Sequence, residues 1–505
     1  MLWTLLSLLA IAIGYYLYKE LTGLYKIYKY KHQGIKHAKY IPLPAFFMKL
    51  VKASQSDDAH LEEKKQMSEQ DSDQPFSAVN FGSQCQLTLI SEKAIRDFYD
   101  QETEVTIKDN PFGDIEFLGF LLENGKGVQE KRAMFSKVFH YSNVVNLMPS
   151  IRGVIQKHVR NLKKRAVEEG GQLKIDLKKE FSRAVLDDLS ACILLGGAEN
   201  KLVDNFEGMN VTQLIQKMLK LLEASVQNPL NLLPFATALG LNKELKQMKR
   251  IKQGLINIIK NEYNKRYNKE SLYDKSILDI MIKINKESEK ETGAPKFTIE
   301  EITSNFELFQ FAASDTSFHL SSTTITYLAL PENKEYQKRV QEQVETELGG
   351  RDSYSDEKLN SLKEVDIVFK EVARLANPAT GPSRVVTKDF KVDGHTVYKG
   401  DRISNVTFNY EPKHFKDPFK FNPDRFNNES PEYKRAPRMK QLPFSFGQRA
   451  CLGKYLGEMV VKLILVEVLK EFEVSVEPGY TMKLRYDPLY GVINPDLIMT
   501  VRGSQ

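Results

Sequence analysis

The chain has 505 residues, of which 41% are hydrophobic and 27% are charged, and this composition excludes a disordered or fibrous protein. The net charge of +6 arises from 72 basic and 66 acidic residues, a balance too even for a nucleic-acid-binding protein, so we expect no nucleic-acid partner. Three cysteines without a CxxC pair argue against a disulfide scaffold and a structural zinc site, and they indicate a reducing compartment.

The first eighteen residues carry no charge and predict a transmembrane helix. Such a helix spans about 27 Å, close to the roughly 30 Å core of a bilayer. Tyrosines and lysines follow, as at a membrane interface and its cytosolic side. We therefore expect a signal anchor over 1–18, a basic, proline-containing linker over 19–45, and a folded cytosolic domain over 46–505. A cleaved signal peptide is the alternative, although no basic residue precedes the apolar run and no clear cleavage site follows it.

The rest of the chain predicts a mainly α protein with a minor β part. Strand-like alternation occurs over 78–91, over 384–408 with turns at Asp393-Gly394 and Lys399-Gly400, and again near the C-terminus. Regular βαβ alternation is absent, as are the GxGxxG and GxxxxGK[ST] motifs, which tells against a nucleotide-binding domain. Apolar residues at helical spacing predict helices over 143–167, 174–195, 209–226, 243–268, 275–287, 298–329, 333–348 and 357–376.

The predicted helix 298–329 opens with a capping box, Thr298 to Glu301. Further along it, Ala312 and Ala313 leave room for a flat group to approach the backbone, and Asp315 and Thr316 place an acid beside a hydroxyl. A threonine inside a helix commonly just donates to the preceding turn, which is the purely structural interpretation.

The predicted helix 357–376 carries Glu371 and Arg374, three residues apart on one face. An exposed ion pair at this spacing is common by chance and contributes only a few tenths of a kcal/mol. The spacing alone therefore does not distinguish a functional pair from an ordinary one.

The stretch "PFSFGQRACLG" (443–453) places Cys451 in a glycine-rich loop before an amphipathic helix. The glycines permit a tight turn with positive φ, and the helix N-terminus favours a thiolate over a thiol. Phe444 would shield the sulfur, and Arg449 would hold a carboxylate of whatever the sulfur binds. A buried thiolate needs a soft Lewis acid, for which haem iron has precedent. A buried structural cysteine is the alternative.

The pattern Phe444-x-x-Gly447-x-Arg449-x-Cys451-x-Gly453 resembles the haem-binding signature of the cytochrome P-450 family, and the N-terminal anchor resembles that of its microsomal eukaryotic members. The resemblance implies the cytochrome P-450 fold, an α-rich domain plus a small β-sheet domain. It also implies haem b as cofactor, with the thiolate of Cys451 as axial ligand of the iron.

The same resemblance assigns roles to residues elsewhere in the chain. Ala312, Asp315 and Thr316 match the [AG]Gx[DE]T pattern of the helix that crosses the distal haem face, which implies that Asp315 and Thr316 deliver protons. Ala313 stands where glycine is usual. A three-member structural network that holds the proximal loop is implied for Glu371, Arg374 and, in "FKFNPDRF", Arg425.

Three arginines match positions that bind the haem propionates in the family: Arg132, Arg384 and Arg449. Arg132 matches the arginine of a WxxxR motif, but Val128 stands at the tryptophan position, so we expect a weaker grip on the haem there. A solvated helix face is the alternative for Arg132.

The resemblance implies a membrane-anchored monooxygenase of the endoplasmic reticulum that inserts one atom of O2 into a lipophilic substrate such as a sterol, a fatty acid or a foreign compound. No flavin or nicotinamide domain is evident, so we expect electrons from an NADPH-dependent flavoprotein reductase, with cytochrome b5 as a further partner. Lys434, Arg435, Arg438 and Lys440 would attract an acidic partner surface, unless they form an ordinary solvated loop. A haem-thiolate isomerase or dehydratase acting on peroxides and a non-enzymatic haem-thiolate sensor remain alternatives.

Overall fold

The computed structural model describes residues 2–45, 48, 73–81, 84–108, 119–198, 202, 204–227, 243–268, 276–379, 383–404, 415–435, 443–486 and 489–503. The chain divides into two compact units. The sheet unit comprises Met1–Asp109, Ala379–Cys451 and Lys483–Arg485. The helical unit comprises Asn110–Pro378, Leu452–Met482 and Tyr486–Gln505.

Helices dominate the described residues, which confirms a mainly α chain with a minor β part. In chain order the α-helices are α1 Leu2–His32, α2 Glu92–Val105, α3 Lys126–Val138, α4 Tyr141–Glu168, α5 Leu177–Leu195, α6 Val211–Gln227, α7 Lys243–Tyr267, α8 Ile277–Thr292, α9 Ile299–Ala329, α10 Lys334–Leu348, α11 Asp356–Ser361, α12 Lys363–Leu375, α13 Pro431–Arg435 and α14 Lys454–Glu471.

The strands of the described residues are short, and all except β5 lie before residue 108 or after residue 383. They are β1 Ala38–Ile41, β2 Phe76–Phe81, β3 Gln84–Leu89, β4 Thr106–Ile107, β5 Gln172–Asp176, β6 Arg384–Val386, β7 Phe390–Val392, β8 His395–Val397, β9 Arg402–Ser404, β10 Phe472–Ser475, β11 Leu484–Tyr486, β12 Tyr490–Val492 and β13 Asp496–Val501.

Most predicted helices lie within a few residues of their observed bounds. The predicted helix 357–376 is divided at Leu362, whose backbone (φ −72°, ψ 90°) is not helical, into α11 and α12. The predicted helix 174–195 begins only at Leu177, because the preceding residues pair with β13 as strand β5. Helix α2, which the periodicity did not predict, is capped by the Ser91 hydroxyl, which accepts from the Ala94 amide.

Helix α1 continues past residue 18, the predicted end of the anchor, and ends at His32, so the linker predicted over 19–45 begins as helix. Its last turns are held in the sheet unit by Asp401, which accepts a hydrogen bond from the Tyr30 hydroxyl at 2.6 Å and pairs with Lys26. None of the helices over the described residues combines the length and the apolar character that crossing a membrane requires.

The sheet unit is built on a six-stranded mixed sheet in the order β1-β2-β3-β9-β6-β4. Strands β2 and β3 pair antiparallel with Phe76 opposite Leu89, and β3 pairs parallel with β9. The core between this sheet and the helices of the unit contains Tyr30, Leu87 and Phe98. Helix α2 also lies in this unit, and its Tyr99 is hydrogen-bonded to Ser445, in the loop that precedes Cys451.

The helical unit is organised around α9, a helix of 31 residues that packs against α5, α7 and α14. The expected capping box is confirmed: the Thr298 hydroxyl accepts from the Glu301 amide at 3.1 Å, and the Glu301 carboxylate accepts from the Thr298 amide at 3.0 Å. A small antiparallel sheet, β10-β13-β5, completes the unit. Because other helices pack against α9 on several sides, its buried residues occur all around the helix and include polar as well as apolar side chains.

Candidate functional site

The cysteine loop, Phe444–Gly453, is a tightly turned segment. Ser445 and Gly447 have positive φ angles of 61° and 70°, and a 3-10 turn follows at Gly447–Arg449. The Cys451 amide donates to the Phe444 carbonyl at 2.8 Å, which closes the loop. The Cys451 side chain is exposed, whereas Cys85 and Cys192 are buried. The alternative of a buried structural cysteine is therefore wrong for Cys451.

A tyrosine that the sequence analysis missed supports this loop. The Tyr99 hydroxyl of α2 is hydrogen-bonded to the Ser445 hydroxyl at 3.1 Å, and its ring meets Phe446 edge-on at 5.7 Å. A Cβ placed on Gly447 would lie 3.3 Å from Cδ1 of Tyr99, a close contact, and the positive φ is itself strained for any other residue. Nothing in the spacing of Tyr99 relative to Cys451 signals this contact.

Gly453 differs from Gly447. It has an ordinary φ of −85° and precedes α14, where its carbonyl accepts from the Gly457 amide at 2.8 Å. Of the two glycines in the motif, only Gly447 uses the positive φ that the sequence suggested. Phe444 and Arg449, the other motif residues, are half-buried.

The acid and hydroxyl side chains lie on α9, in the helical unit, as predicted. The Thr316 hydroxyl donates to the carbonyl of Ala312 at 2.7 Å, which is the back-bonding that the structural interpretation foresaw. Asp315 is buried, and its carbonyl oxygen lies 2.9 Å from Nδ1 of His319. Back-bonding uses the hydroxyl proton of Thr316 but leaves oxygen lone pairs for another donor.

Glu371 and Arg374 form a buried ion pair in the helical unit. Nε and Nη2 of the arginine each donate to one carboxylate oxygen at 2.9 Å, and the side chains are 0% and 1% exposed. This is a bidentate pair rather than the exposed one that the spacing alone permits.

Arg425 belongs to the sheet unit and is held by local partners. Its Nη1 donates to Glu432 at 2.7 Å and to the Lys416 carbonyl at 3.1 Å, and its Nη2 donates to the Lys420 carbonyl at 3.2 Å. Glu432 was not foreseen from the sequence. The expected three-member network of Arg425 with Glu371 and Arg374 stays a prediction.

The remaining arginines occupy different surroundings. Arg384, at the start of β6, is buried and donates from Nε to the buried Glu102 at 2.6 Å, a partner that the sequence did not reveal. Arg132 on α3 is half-buried, and this exposure does not distinguish a haem-binding arginine from one on a solvated helix face. Val128 is buried. Their contacts with a haem carboxylate stay predictions.

The basic segment near residue 434 is described only in part. Lys434 is exposed and pairs with Glu429 at 3.3 Å. Arg438 and Lys440 lie outside the described residues, as does the side chain of Arg435. The expected docking role of this segment stays a prediction.

The donor set of the cysteine loop fits an iron porphyrin. A haem-thiolate centre takes one protein sulfur as ligand, and Cys451 presents an exposed thiol on a loop turned by the positive φ angles of Ser445 and Gly447. No cluster of three or more His, Cys, Asp or Glu side chains that would hold a bare metal ion occurs among the described residues. Arginines of the kind that neutralise porphyrin carboxylates are present at 132, 384 and 449.

Comparison with known proteins identifies relatives across most of the chain. The family model described as Cytochrome P450 matches residues 42–500. Cytochrome P450 26B1 of Xenopus tropicalis is 27% identical over 388 residues, which are 71% of this chain and 69% of that protein. Cytochrome P450 CYP72A219 of Panax ginseng is 24% identical over 382 residues, 74% of this chain and 71% of that protein.

The sterol 14alpha-demethylase of Mycolicibacterium vanbaalenii is 30% identical over 202 residues, so the match covers 40% of this chain and less than half, 43%, of that enzyme. Among solved structures, retinoic acid-bound cyanobacterial CYP120A1 superimposes with a TM-score of 0.71 at 17% identity, covering 89% of this chain and 95% of that one. The structural match shows that the two chains share a fold.

Proposed function

Because the chain belongs to the cytochrome P450 family of haem-thiolate monooxygenases, we propose that it is itself a membrane-anchored monooxygenase that inserts one atom of O2 into a lipophilic substrate. The observation that carries the proposal is the exposed thiol of Cys451 on a loop that turns at Ser445 and Gly447 and is hydrogen-bonded to Tyr99. The relatives include enzymes from animals and plants as well as bacteria, and we place this chain with the microsomal eukaryotic type.

In this proposal the thiolate of Cys451 would bind the iron of haem b, and Arg132, Arg384 and Arg449 would neutralise the haem carboxylates. When bound, haem supplies the activation of O2 and the insertion of oxygen, favoured by electron density from the sulfur. Arg384 is already oriented by Glu102, so its guanidinium has a fixed direction before any carboxylate arrives.

The protein's own contribution on α9 is proton delivery. The Thr316 proton is held at Oγ1 by the Ala312 carbonyl, so its transfer requires this 2.7 Å bond to break and the hydroxyl to rotate. The buried carboxyl of Asp315, the preceding residue on the helix, replaces the proton that Thr316 gives up. Once haem is bound, the phenyl ring of Phe444 would shield the sulfur, which is exposed in the structure.

Electrons come from a separate NADPH-dependent flavoprotein reductase, with cytochrome b5 as a second donor, in the endoplasmic reticulum membrane. Helix α1 supports the membrane attachment: Tyr15, Tyr18, Tyr25 and Tyr28 are exposed on it, and lysines alternate with them. The substrate is lipophilic, which agrees with the sterol and retinoic acid named for two of the similar proteins.

The test is the spectrum of the reduced, carbon-monoxide-bound protein. The wild type is expected to show a thiolate-type Soret band that Cys451→Ala loses and Cys192→Ala, at a buried cysteine, retains. An unaltered band in Cys451→Ala would exclude this sulfur as ligand. Reductase-dependent NADPH consumption with substrate supports a monooxygenase, whereas turnover of peroxides without reductase would indicate an isomerase or dehydratase.

A further inference from the structure

Asn305 lies in the first half of α9, and the two ends of its side-chain amide, the oxygen and the nitrogen, differ in their hydrogen bonding. Its Oδ1 accepts a hydrogen bond from the Phe120 backbone amide at 3.2 Å. The residue is 1% exposed, and its Nδ2 is fully enclosed and has no hydrogen-bond partner among the residues that the structure describes. A buried amide N–H2 without an acceptor is costly and uncommon, so its presence in a helix core calls for a reason.

The orientation of this amide is fixed by its neighbours. A backbone N–H can only donate, so the oxygen of Asn305 must face Phe120 and the N–H2 group must face away from it. Gly119 has a φ of +45°, and a Cβ there would lie 2.2 Å from Oδ1 of Asn305. The turn Gly119–Leu121 can therefore approach Asn305 this closely only because residue 119 is glycine.

Asn305 lies on the same face of α9 as Ala312 and Thr316. At about 3.6 residues per turn, positions seven and eleven residues further on return to the same side of the helix to within roughly 20°. At about 1.5 Å per residue, Asn305 and Thr316 are separated by roughly 16 Å along that face. Asn305 thus lies on the side of the helix that bears the Thr316 hydroxyl, three turns away from it.

Aromatic rings gather around Phe120, the residue whose amide holds Asn305. The ring of Phe120 lies 5.3 Å from that of Phe135 and 5.9 Å from that of Phe309, and the last two are 5.0 Å apart. An apolar wall with one oriented polar group is the usual make-up of a small-molecule site. Side-chain rotations of the kind common on binding would open such a wall to a ligand.

We propose that Asn305 is a specificity-determining residue whose amide N–H2 donates a hydrogen bond to an oxygen atom of the substrate. The inference rests on the proposed function and narrows it: the substrate is an elongated lipophilic molecule with an acceptor oxygen, as a hydroxyl, carbonyl or carboxylate, at the end remote from the oxidised carbon. A hydrogen-bonding site discriminates strongly against analogues that lack its partner, since the buried donor then stays unmet.

The test compares 2-hexadecanone with hexadecane, two chains that differ only in one carbonyl oxygen. Binding to the haem-loaded full-length protein is followed by the substrate-induced spin shift. It is also followed by the ligand-induced rise in Tm, a measurement that does not depend on the haem spectrum. We expect the wild type to bind the ketone about tenfold to hundredfold more tightly than the alkane. Asn305→Leu, of similar size, should lose this preference while its affinity for the alkane changes little.

A second variant covers the case in which the leucine protein folds poorly. Asn305→Asp, studied at alkaline pH, keeps an oxygen for the Phe120 amide but has no N–H2 group, and it should also lose the preference for the ketone. The matched control is Asn285→Asp, at a buried asparagine whose Nδ2 already donates to Tyr263 and to the Phe297 carbonyl; it should retain the wild-type preference.

Equal affinity of the wild type for the two ligands, or a ketone preference that survives in both Asn305 variants, overturns the proposal. Failure of the proposed function looks different: the thiolate-type band would be missing from the wild type, while the ligand-induced rise in Tm would still report on Asn305.

Discussion

Arg374 closes a two-pronged hydrogen-bonded pair with Glu371, one turn earlier on the helix Lys363–Leu375, with both bonds 2.9 Å long. The two side chains have almost no contact with solvent. Charges removed from water are tolerated only when each compensates the other, so this pair depends on both members far more than an exposed pair does.

Removing one member should therefore be severe. We expect Arg374→Ala to lower the free energy of unfolding by about 3–5 kcal/mol, because the buried Glu371 carboxylate loses its bidentate cationic partner. Chemical denaturation measures the change. The control is Arg160→Ala, whose pair with Asp352 is more than half exposed on both sides and should contribute less than about 1 kcal/mol. Equal losses in the two variants would contradict the argument.

A second buried cation, Lys462 on Lys454–Glu471, predicts a pH dependence. It donates to Asp366 at 2.9 Å and to Glu458 at 2.8 Å. Burial raises the pKa of Asp366, but the charges of Lys462 and Lys370 outweigh it and hold that pKa below its usual value. Burial likewise lowers the pKa of Lys462, but the charges of Glu458 and Asp366 outweigh it and hold that pKa above its usual value.

Asp366 and Lys462 lose their contributions to stability at opposite ends of the pH scale. The contribution of Asp366 is complete above its unfolded pKa of 3.8 and is lost as the pH falls through the lower folded value. The contribution of Lys462 is complete below 10.5 and is lost as the pH rises through the higher folded value. Urea unfolding of wild type and Lys462→Met should thus differ most near neutral pH and converge toward both extremes. A difference independent of pH would show that packing rather than charge is responsible.

The turn of the cysteine loop predicts the effect of a single methyl group. Gly447→Ala places a Cβ in a positive-φ position close to Tyr99, and we expect a loss of about 1–2 kcal/mol from backbone strain together with faster loss of haem. Transfer of haem to an acceptor protein gives the rate. Gly127→Ala, where no atom lies within 4 Å of the added Cβ, should be neutral or stabilising. Retention of haem at the wild-type rate in Gly447→Ala would argue against a strained loop.

The three cysteines should differ in reactivity in the haem-free protein. Cys451 is exposed and should react with a thiol reagent, whereas Cys85 and Cys192 should react only on unfolding, since they are buried. Burial also raises the pKa of the Cys85 thiol, which disfavours its reactive thiolate. The number and position of labelled sites, read by mass spectrometry, check this, and haem loading should protect Cys451. Labelling of Cys85 in the native protein would contradict the assigned burial.

Features that depend on neighbouring residues followed from the sequence by itself. These features are the capping box of Thr298 and Glu301, the bounds of most helices and the tight loop before Cys451. Each involves residues only a few positions apart, so local backbone preferences determine it. Helix α1 shows the limit of this reasoning. Its charge pattern changes after residue 18, but the helix continues to His32, where Tyr30 reaches Asp401, 371 positions away.

The tertiary structure alone decided which residues far apart in sequence meet within each unit. Tyr99 under Ser445, Glu102 beside Arg384 and Asn305 against the Phe120 amide join residues 346, 282 and 185 positions apart. Such contacts arise from the packing of whole helices and sheets, which places side chains together without any fixed spacing along the chain. The periodicity of a single segment carries no record of the partner it will meet, so these residues became visible only in the folded protein.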